Sequence, residues 1–431
     1  MEVWYDIAYN KLTMIVPFKG LKSKIYGFLR KSEKYTKTDM VYITRNGFWV
    51  GLNHVIATIC GLLLTVAFAR LISQEAFGTY KFLLSLASMI GAFSLTGMGL
   101  AVTQATARGY EGALKTGTKE SLKWSLGIVV ISLCGALYYY LNENNTLALG
   151  LLLIGAFVPL INSFGLFVAF LQGKEDFKSE VKYSIPRAIL VPVAMIGTIL
   201  ITENPVFIIL TYFAVHLITI IIPYLIISKR QLNDKVDPET KTHSKHLSLI
   251  NIIGTIAGNL DKVLLFHFLG AAPLAIYSFA LAPIREISKP EQILEKIAFP
   301  KLSKQNFSTL KTTLPQKISK LMIMIIPIVA LYILTAPYLY KILFPQYMES
   351  VIYSQVLALT LLFLPMHLFA KSLIAHMRKK EIYLIKTINP ILNIFLLLIL
   401  LPLYGIWGAI ATIIITKIWY SIFVFYLFKR A

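Results

Sequence analysis

The sequence predicts an all-α membrane protein with about twelve transmembrane helices and no β structure. Hydrophobic residues make up 57% of the chain and charged residues only 15%. The mean hydropathy is +0.69, which is outside the range of soluble domains of this length. Apolar runs of about 20 residues, the length that an α-helix needs to cross a bilayer, recur from residue 46 onward.

The expected crossings form two sets of six. The first set is predicted near 46–69, 82–104, 122–141, 147–171, 184–202 and 206–228. The second set is predicted near 248–270, 274–298, 317–336, 350–373, 383–404 and 406–428. The predicted domains are therefore a basic N-terminal segment, a six-helix lobe, a cytoplasmic linker and a second six-helix lobe, at 1–45, 46–228, 229–247 and 248–431.

Internal similarity supports two related lobes. The segment from Leu71 to Tyr80 matches the segment from Phe268 to Tyr277 at a shift of 197 residues. A second match, which begins at Pro159, recurs in the same order later in the chain. An even number of crossings in each lobe makes such repeats parallel, related by an axis along the membrane normal. Chance similarity between apolar helices is the alternative explanation.

The positive charge lies on one side of the predicted membrane. The net charge is +21, and 34 of the 42 lysines and arginines fall in segments that share one side if the N-terminus is cytoplasmic. This bias predicts a multi-pass protein of the cell membrane with both termini in the cytoplasm. It predicts anionic membrane lipids as partners rather than nucleic acid. Segment 1–45 is either a helix on the inner membrane surface or a disordered basic tail.

One hairpin places charge deep in the membrane. Asp261 and Lys262 are adjacent in an otherwise apolar crossing, where each charge costs about 2.5–3.5 kcal/mol on insertion scales. After a turn at 270–273, Arg285 returns to within about one helical turn of the same depth. The charges are either a structural salt bridge that closes the helix pair or the polar lining of a transport path.

Other polar side chains can share that path. The predicted substrate-binding residues are Lys262, Arg285, Asn53, His54, Trp49, Asn251 and Tyr277. Trp49 and Tyr277 suit either stacking on sugars or anchoring at the membrane interface. Asp261 and Glu286 are candidates for coupling or gating. The segment 285–296 is either a bent half-helix that faces a cavity or an early emergence into the cytoplasm, because Pro290 interrupts helical hydrogen bonding.

The sequence gives no support for enzymatic chemistry. It has no nucleotide-binding glycine motif and no ordered set of nucleophile and base. Its two cysteines fall inside predicted crossings without zinc-ligand spacing. No catalytic residue, metal site or cofactor is expected. Lys371 and Lys417, also inside predicted crossings, are interpreted as snorkelling or paired lysines.

Three segments resemble a known family. They are Ala69-Arg-Leu-Ile-Ser-Gln-Glu-Ala-Phe-Gly-Thr-Tyr80, Phe170-Leu-Gln-Gly173, and Asp261-Lys-Val-Leu-Leu-Phe-His-Phe-Leu-Gly270. Together they resemble the Wzx-like polysaccharide exporters, the polysaccharide synthesis transporter branch of the multidrug/oligosaccharidyl-lipid/polysaccharide flippase superfamily. The resemblance covers roughly residues 47–428 and implies a MATE-like fold. His267 occupies a position where the family has a basic residue.

The resemblance implies a flippase that translocates an undecaprenyl-diphosphate-linked oligosaccharide for surface polysaccharide assembly, such as O-antigen. It implies a cavity lined by the first, second, seventh and eighth crossings, and polysaccharide polymerase machinery as a further partner. Within that cavity, Lys262 and Arg285 are expected to bind the diphosphate or an acidic sugar, while Asp261 competes for them when the site is empty. The alternative is a secondary multidrug or cation antiporter of the same superfamily. That function favours a carboxylate-centred ion site in the first lobe, whose crossings contain no Asp or Glu at depth.

Overall fold

A computed structural model describes residues 40–238 and 240–431 of the chain. Within these ranges it describes every side chain from residue 51 onward except those of residues 243, 246, 247, 250, 292–297, 300 and 301. The described residues are helical almost throughout, and none of them forms a strand. Residues 1–39 of the N-terminal segment predicted at 1–45 lie outside the described residues.

The helices of the N-terminal half end at residue 228. In chain order they are α1 (Met40–Leu71), α2 (Gln74–Gly91), α3 (Met98–Ala107), α4 (Ala113–Trp124), α5 (Leu126–Leu141), α6 (Asn145–Phe164), α7 (Leu166–Gly173), α8 (Phe177–Ile201) and α9 (Pro205–Ser228). Helix α1 packs along α8, and α9 packs against both α6 and α8. These contacts bury one side of each helix within the half.

The helices of the C-terminal half begin after the linker. They are α10 (Thr240–Leu269), α11 (Ala271–Lys304), α12 (Phe307–Leu343), α13 (Ser350–Ala358), α14 (His367–Ala375), α15 (Lys379–Tyr404) and α16 (Ile406–Arg430), with 3₁₀ segments at Pro345–Tyr347 and Leu359–Met366. Helix α11 packs against α13 and α14, and α15 packs along α16. Because α10 begins at Thr240, part of the linker predicted at 229–247 is helical.

The predicted fold class is confirmed. In the described chain the helices form twelve units when the short segments of one interrupted crossing are taken together, as in α6 with α7. Ten of these units are long and apolar enough to cross a membrane. The other two are α2 with α3, which residues 92–97 separate, and α11, which carries Arg285, Glu286 and Lys289. Helix α11 also runs uninterrupted past Pro290, so the proline does not end it.

Local sequence signals explain where several helices start. The Ser73 hydroxyl accepts a hydrogen bond from the Ala76 N–H, and the Asp176 carboxylate accepts one from the Ser179 N–H. Such caps satisfy backbone donors that have no partner within the helix. The turn between α10 and α11 needs a single residue, Gly270, whose φ of +91° favours glycine. This turn holds the two helices as a hairpin.

The two halves meet where α2 packs against α10 and α11. A Cβ atom at Gly78 would lie 1.9 Å from the carbonyl oxygen of Ala271, so the backbones of α2 and α11 approach as closely as a glycine permits. Below this contact the Phe82 and Phe266 rings stack with centroids 3.9 Å apart. The halves are therefore in direct contact at the end of the molecule where α1 ends and α11 begins.

Candidate substrate site between the two halves

The carboxylate of Asp261 closes the hairpin of α10 and α11. It accepts a hydrogen bond of 2.6 Å from the Tyr277 hydroxyl and one of 3.2 Å from Lys262 Nζ. Lys262 Nζ also donates to the Gly258 carbonyl oxygen at 3.2 Å. The contact that joins the two helices is thus the bond between Tyr277 and Asp261. Arg285, the salt-bridge partner considered from the sequence, does not make it.

Tyr277 does not have the position that stacking on a sugar requires. Its side chain is fully buried at 0% exposure, because α11 packs against α2 at this level. Its hydroxyl is committed to Asp261. The prediction that Tyr277 binds substrate directly or anchors at the interface is therefore corrected: Tyr277 positions Asp261.

A cavity of about 450 Å³ lies between the halves next to this hairpin. Its walls come from α1, α2, α10 and α11, which correspond to the predicted first, second, seventh and eighth crossings, and from the C-terminal part of α12. The charged residues that line it are Lys81, Lys262, Arg285 and Glu286. Most of the remaining wall is apolar or aromatic, including Phe68 and Leu339. The cavity thus combines a cationic lining with an apolar surface.

The lining of the cavity carries three cations and one carboxylate, Glu286. Arg285 is exposed and makes no ion pair or side-chain hydrogen bond to any described residue. Glu286 is paired with Lys289 at 2.5 Å, which lies one turn further along α11. Among the described cations, Asp261 forms an ion pair with Lys262 alone. Because separated like charges in a poorly hydrated cavity repel one another, this lining favours an anionic occupant.

Lys81 lines the cavity although it precedes the crossing that the sequence predicts near 82–104. Helix α2 begins at Gln74 rather than near residue 82, so Lys81 lies two turns inside it. The Lys81 ammonium is 5.0 Å from the centre of the Phe77 ring and is close enough to Arg285 and Lys262 for electrostatic repulsion. The Ser73 cap was the signal that could have revealed the earlier start.

The remaining predicted site residues lie away from the cavity. Asn53 and His54 are on α1, and the cavity begins at Gly61, about 12 Å further along at ~1.5 Å per residue. Asn251 is exposed on α10, about 16 Å before Lys262 by the same rise. The side chain of Trp49 is not among those described. The assignment of these four residues as substrate-binding stays a prediction.

The cavity is closed towards the end of the molecule where α1 ends. There the Arg70 guanidinium donates to the Ile342 carbonyl oxygen, and Gln74 Nε2 donates to the Gln346 carbonyl oxygen at 2.7 Å. The close approach of Gly78 to α11 lies at the same level. At the opposite end, contact between the halves runs chiefly through α10, which packs on α3 and α4.

A second, larger cavity of about 700 Å³ lies inside the N-terminal half. Ser94, Thr96, Asn162 and His216 supply its main polar groups, and no carboxylate lines it among the described residues. The described chain also has no cluster of three or more histidine, cysteine or acidic residues that could hold a metal ion. Neither observation provides the carboxylate-centred site that an ion-coupled antiporter favours.

Comparison with known proteins identifies the family. A profile described as "Polysaccharide biosynthesis protein" matches residues 67–352. The chain belongs to this polysaccharide biosynthesis protein family. No curated protein matches it by sequence.

Solved structures show the fold of this family member. A structure of the lipid II flippase MurJ in an inward closed conformation superposes with a TM-score of 0.66 at 15% identity, covering 87% of this chain and 86% of that one. An inward-facing MATE multidrug transporter of the MOP superfamily gives 0.62 at 13%, covering 87% and 94%. A MOP superfamily transporter from Pyrococcus furiosus gives 0.61 at 15%, covering 90% and 95%.

The family and the fold class together describe a multi-pass membrane protein with a transporter architecture. The MATE-like fold implied by the sequence resemblance is confirmed by these superpositions. The structurally similar proteins are described as transporters and a flippase.

Proposed function

We propose that this protein is a flippase for a lipid-linked oligosaccharide, with undecaprenyl diphosphate as the lipid carrier. The observation that carries the proposal is the cavity between the halves, where Lys81, Lys262 and Arg285 converge against a mostly apolar wall. A diphosphate cannot cross hydrocarbon with its charges unpaired. Three cations supply the pairing, and the acyl chain of the carrier can remain in the bilayer.

Arg285 is proposed as the main ligand of the diphosphate. Like Lys81, it makes no hydrogen bond or ion pair to a described residue. Unlike an ammonium, its guanidinium presents a planar fork that matches phosphate oxygens. Lys262 adds a point charge, which in the empty site is shared with Asp261 at 3.2 Å. Cargo that takes over Lys262 would leave Asp261 held by Tyr277 alone. Asp261 is thus the proposed coupling residue.

We further propose that the protein lies in the cytoplasmic membrane with both termini inside. The distribution of lysines and arginines supports this orientation. The closed end of the cavity would then face outward, and the cavity would receive cargo from the cytoplasmic side. Cargo delivered to the outer leaflet would pass to polysaccharide polymerase machinery, which is a proposed partner.

The antiporter alternative makes a different demand on the site. A cationic drug or a coupling cation would be repelled by the three positive side chains of the central cavity. Either cation would need carboxylates as ligands. Among the described residues, no carboxylate lines the N-terminal cavity. The charge of the central cavity therefore favours the flippase over the antiporter.

Export of oligosaccharide in cells tests the proposal. Arg285→Ala is expected to abolish export at normal membrane abundance, and Arg285→Lys is expected to retain part of it because the charge survives without the fork. Lys341→Gln is the matched control, since Lys341 is an exposed cation at the outer end of α12, outside the cavity. Full export by a variant carrying both Arg285→Ala and Lys262→Ala would contradict the proposal. Efflux of a cationic dye that survives in Arg285→Ala would favour the antiporter.

A further inference from the structure

A second cationic pocket lies within the C-terminal half, between α14, α15 and α16. Its volume is about 250 Å³, and its polar lining consists of His367, Lys371, Lys386 and Tyr420. The rest of the lining is an alanine and three isoleucines, with no carboxylate. None of these residues lines the central cavity, so the pocket is separate from the proposed cargo site.

The charge of this pocket comes from lysines rather than from the histidine. Lys417 Nζ lies 3.2 Å from His367 Nε2, and the Tyr420 hydroxyl lies 3.3 Å from His367 Nδ1. An ammonium can only donate, so Nε2 is the acceptor and the ring is neutral with its proton on Nδ1. The positive charge therefore comes from Lys417, which contacts the neutral imidazole, and from Lys371 and Lys386, which line the same pocket.

Two of the lysines, Lys371 and Lys386, lie close to the turn that joins α14 to α15. Lys371 is one turn before the end of α14 at Ala375, and Lys386 is two turns after the start of α15 at Lys379. At ~1.5 Å per residue they are about 5–10 Å inside the helix ends. The hydrocarbon half-thickness of a bilayer is roughly 15 Å. Lysine side chains at this depth reach the glycerol and phosphate level of one leaflet.

The surface beside the pocket suits acyl chains. Ile374 is 39% exposed, Tyr383 is 46% exposed and Trp419 is 41% exposed. These three side chains belong to the same three helices as the pocket. A bare inorganic anion would gain nothing from this apolar surface or from the isoleucines of the pocket. A phosphate carried on a lipid would use both the lysines and the apolar wall.

We propose that this pocket binds the phosphate group of a lipid of the adjacent leaflet, which is the cytoplasmic leaflet in the proposed orientation. Lys386 contributes most directly, because it is exposed and makes no ion pair to a described residue. Lys371 and Lys417 add to the field while making other interactions as well. The same chemistry can come from an anionic phospholipid or from a polyprenyl phosphate. The site does not depend on the central cavity carrying cargo.

Lipid retention measured by native mass spectrometry tests this site. The purified full chain is placed in phosphatidylcholine nanodiscs and titrated with phosphatidylglycerol in one arm and undecaprenyl phosphate in the other. The test variant is Lys371→Gln with Lys386→Gln. The matched control is Lys317→Gln with Lys320→Gln. It removes the same charge from two exposed positions in the N-terminal part of α12. Melting temperature and size-exclusion profile verify that both variants are folded.

The test variant is expected to bind the phosphate-bearing lipid about 30-fold more weakly than the wild type, since a lysine near an anionic lipid surface contributes about fivefold. The control should retain wild-type affinity. The arm in which the loss occurs identifies the lipid. Equal retention by the two variants would overturn the site, and displacement of the lipid by millimolar inorganic phosphate would show that it binds a free anion instead. Unchanged export by the test variant would leave the flippase proposal intact.

Discussion

The Tyr277 hydroxyl donates a 2.6 Å hydrogen bond to the Asp261 carboxylate across the hairpin turn at Gly270. Two described carboxylates lie near the proposed cargo cations: Glu286, which pairs with Lys289, and Asp261, which this bond holds in place. With Tyr277 in place, Asp261 reaches Lys262 but leaves Arg285 without a described partner. The relationship therefore sets which cation is available to an anionic cargo.

Tyr277→Phe tests this relationship. Removal of the hydroxyl leaves the partly buried Asp261 with Lys262 alone, and a hydrogen bond to a charged group contributes about 1.5–3 kcal/mol. We expect the free energy of unfolding to fall by about that amount, and cargo affinity to fall as Asp261 becomes free to approach Arg285. Chemical unfolding and binding of a polyprenyl-diphosphate-linked sugar measure the two effects.

Tyr347→Phe is the matched control for that prediction. Tyr347 is also fully buried, but its hydroxyl has no hydrogen-bond partner among the described residues. Its removal is expected to leave stability unchanged or slightly raised. Equal destabilisation by both variants would show that the bond to Asp261 contributes nothing specific.

The sequence predicted the hairpin but not its internal contacts. Charges inside an apolar run placed Asp261, Lys262 and Arg285 near one depth, because helical rise converts residue counts into distance. The partner of Asp261 could not be inferred, since the rotation of α11 about its axis depends on packing against α2. That rotation buries Tyr277 and directs Arg285 to the cavity.

The boundaries of helices explain the other difference. Hydropathy marks where an apolar run begins, at about residue 82, whereas the Ser73 cap starts α2 at Gln74. Lys81 therefore precedes the predicted crossing and yet is part of the cavity lining. Asn53, His54 and Asn251 are polar residues on helices that do line the cavity. Their height along those helices keeps them out of it.

Gly78→Ala is expected to disturb the closed end of the cavity. The added Cβ would lie 1.9 Å from the Ala271 carbonyl oxygen, so α2 and α11 must separate. We expect a loss of stability and greater access from outside to a single cysteine placed at Ser278, a cavity residue. Thiol labelling in a background without Cys60 and Cys134 measures this access.

Gly197→Ala is the control for the closed end. Gly197 lies inside α8 with no atom within 4 Å of an added Cβ. Alanine is favoured over glycine in a helix by about 1 kcal/mol, so this variant should be neutral or more stable. Wild-type labelling in Gly78→Ala would contradict the closure role of the contact between α2 and α11.

The linker after α9 is fastened to the N-terminal half through Glu111. This buried carboxylate accepts hydrogen bonds of 2.7 Å from Lys174 Nζ and of 2.7 Å from the Leu232 N–H. Burial opposes ionisation, but the bonds from Lys174 and Leu232 and the charge of Lys174 outweigh it and hold the pKa of Glu111 below its ordinary value. Arg108 and Asp237 pair nearby.

That lowered pKa predicts a pH dependence of stability. A carboxyl group whose pKa is lower in the folded state stabilises the fold above its unfolded pKa of about 4.3, and this contribution is lost as the pH falls through the lower folded value. Glu111→Gln should be less stable than the wild type at neutral pH. It should also lack the part of the stability loss on acidification that comes from protonation of Glu111. Thermal unfolding from pH 7 to pH 3 measures it, with the exposed loop residue Glu143→Gln as control. Identical pH profiles for wild type and Glu111→Gln would contradict the prediction.

The proposed orientation predicts which loops are accessible from outside. In a background without native cysteines, single cysteines at Asn145 and Asn204 should react with an impermeant thiol reagent added to intact cells. A cysteine at Ser308 should react only after the membrane is opened. All three residues are exposed in the structure, so a lack of reaction reflects sidedness rather than burial. Labelling of Ser308 in intact cells would reverse the orientation.

Lys81 provides a further test of the cargo site, because it lines the cavity although the hydropathy pattern places it before the second crossing. Lys81→Met removes the charge while keeping a long apolar side chain on α2, next to the Phe77 ring. If Lys81 shares the diphosphate with Lys262 and Arg285, its loss should weaken binding of a polyprenyl-diphosphate-linked sugar about tenfold or more, since hydrogen bonds to charged groups contribute about 1.5–3 kcal/mol. Lys81→Arg should recover most of the affinity.

The test for Lys81 measures binding of the lipid-linked sugar in nanodiscs and export in cells. Lys341→Met is the control, because it removes an exposed lysine from the last turn of α12. Removal of Lys81 also relieves its repulsion with Arg285 and Lys262 in the empty cavity. Lys81→Met is therefore expected to unfold at a higher temperature than the wild type while binding cargo more weakly. Higher thermal stability together with weaker cargo binding is the result expected when a functional cation is removed. Such a cation destabilises the empty site and stabilises the occupied one. Unchanged cargo affinity together with lower thermal stability would make Lys81 a structural residue.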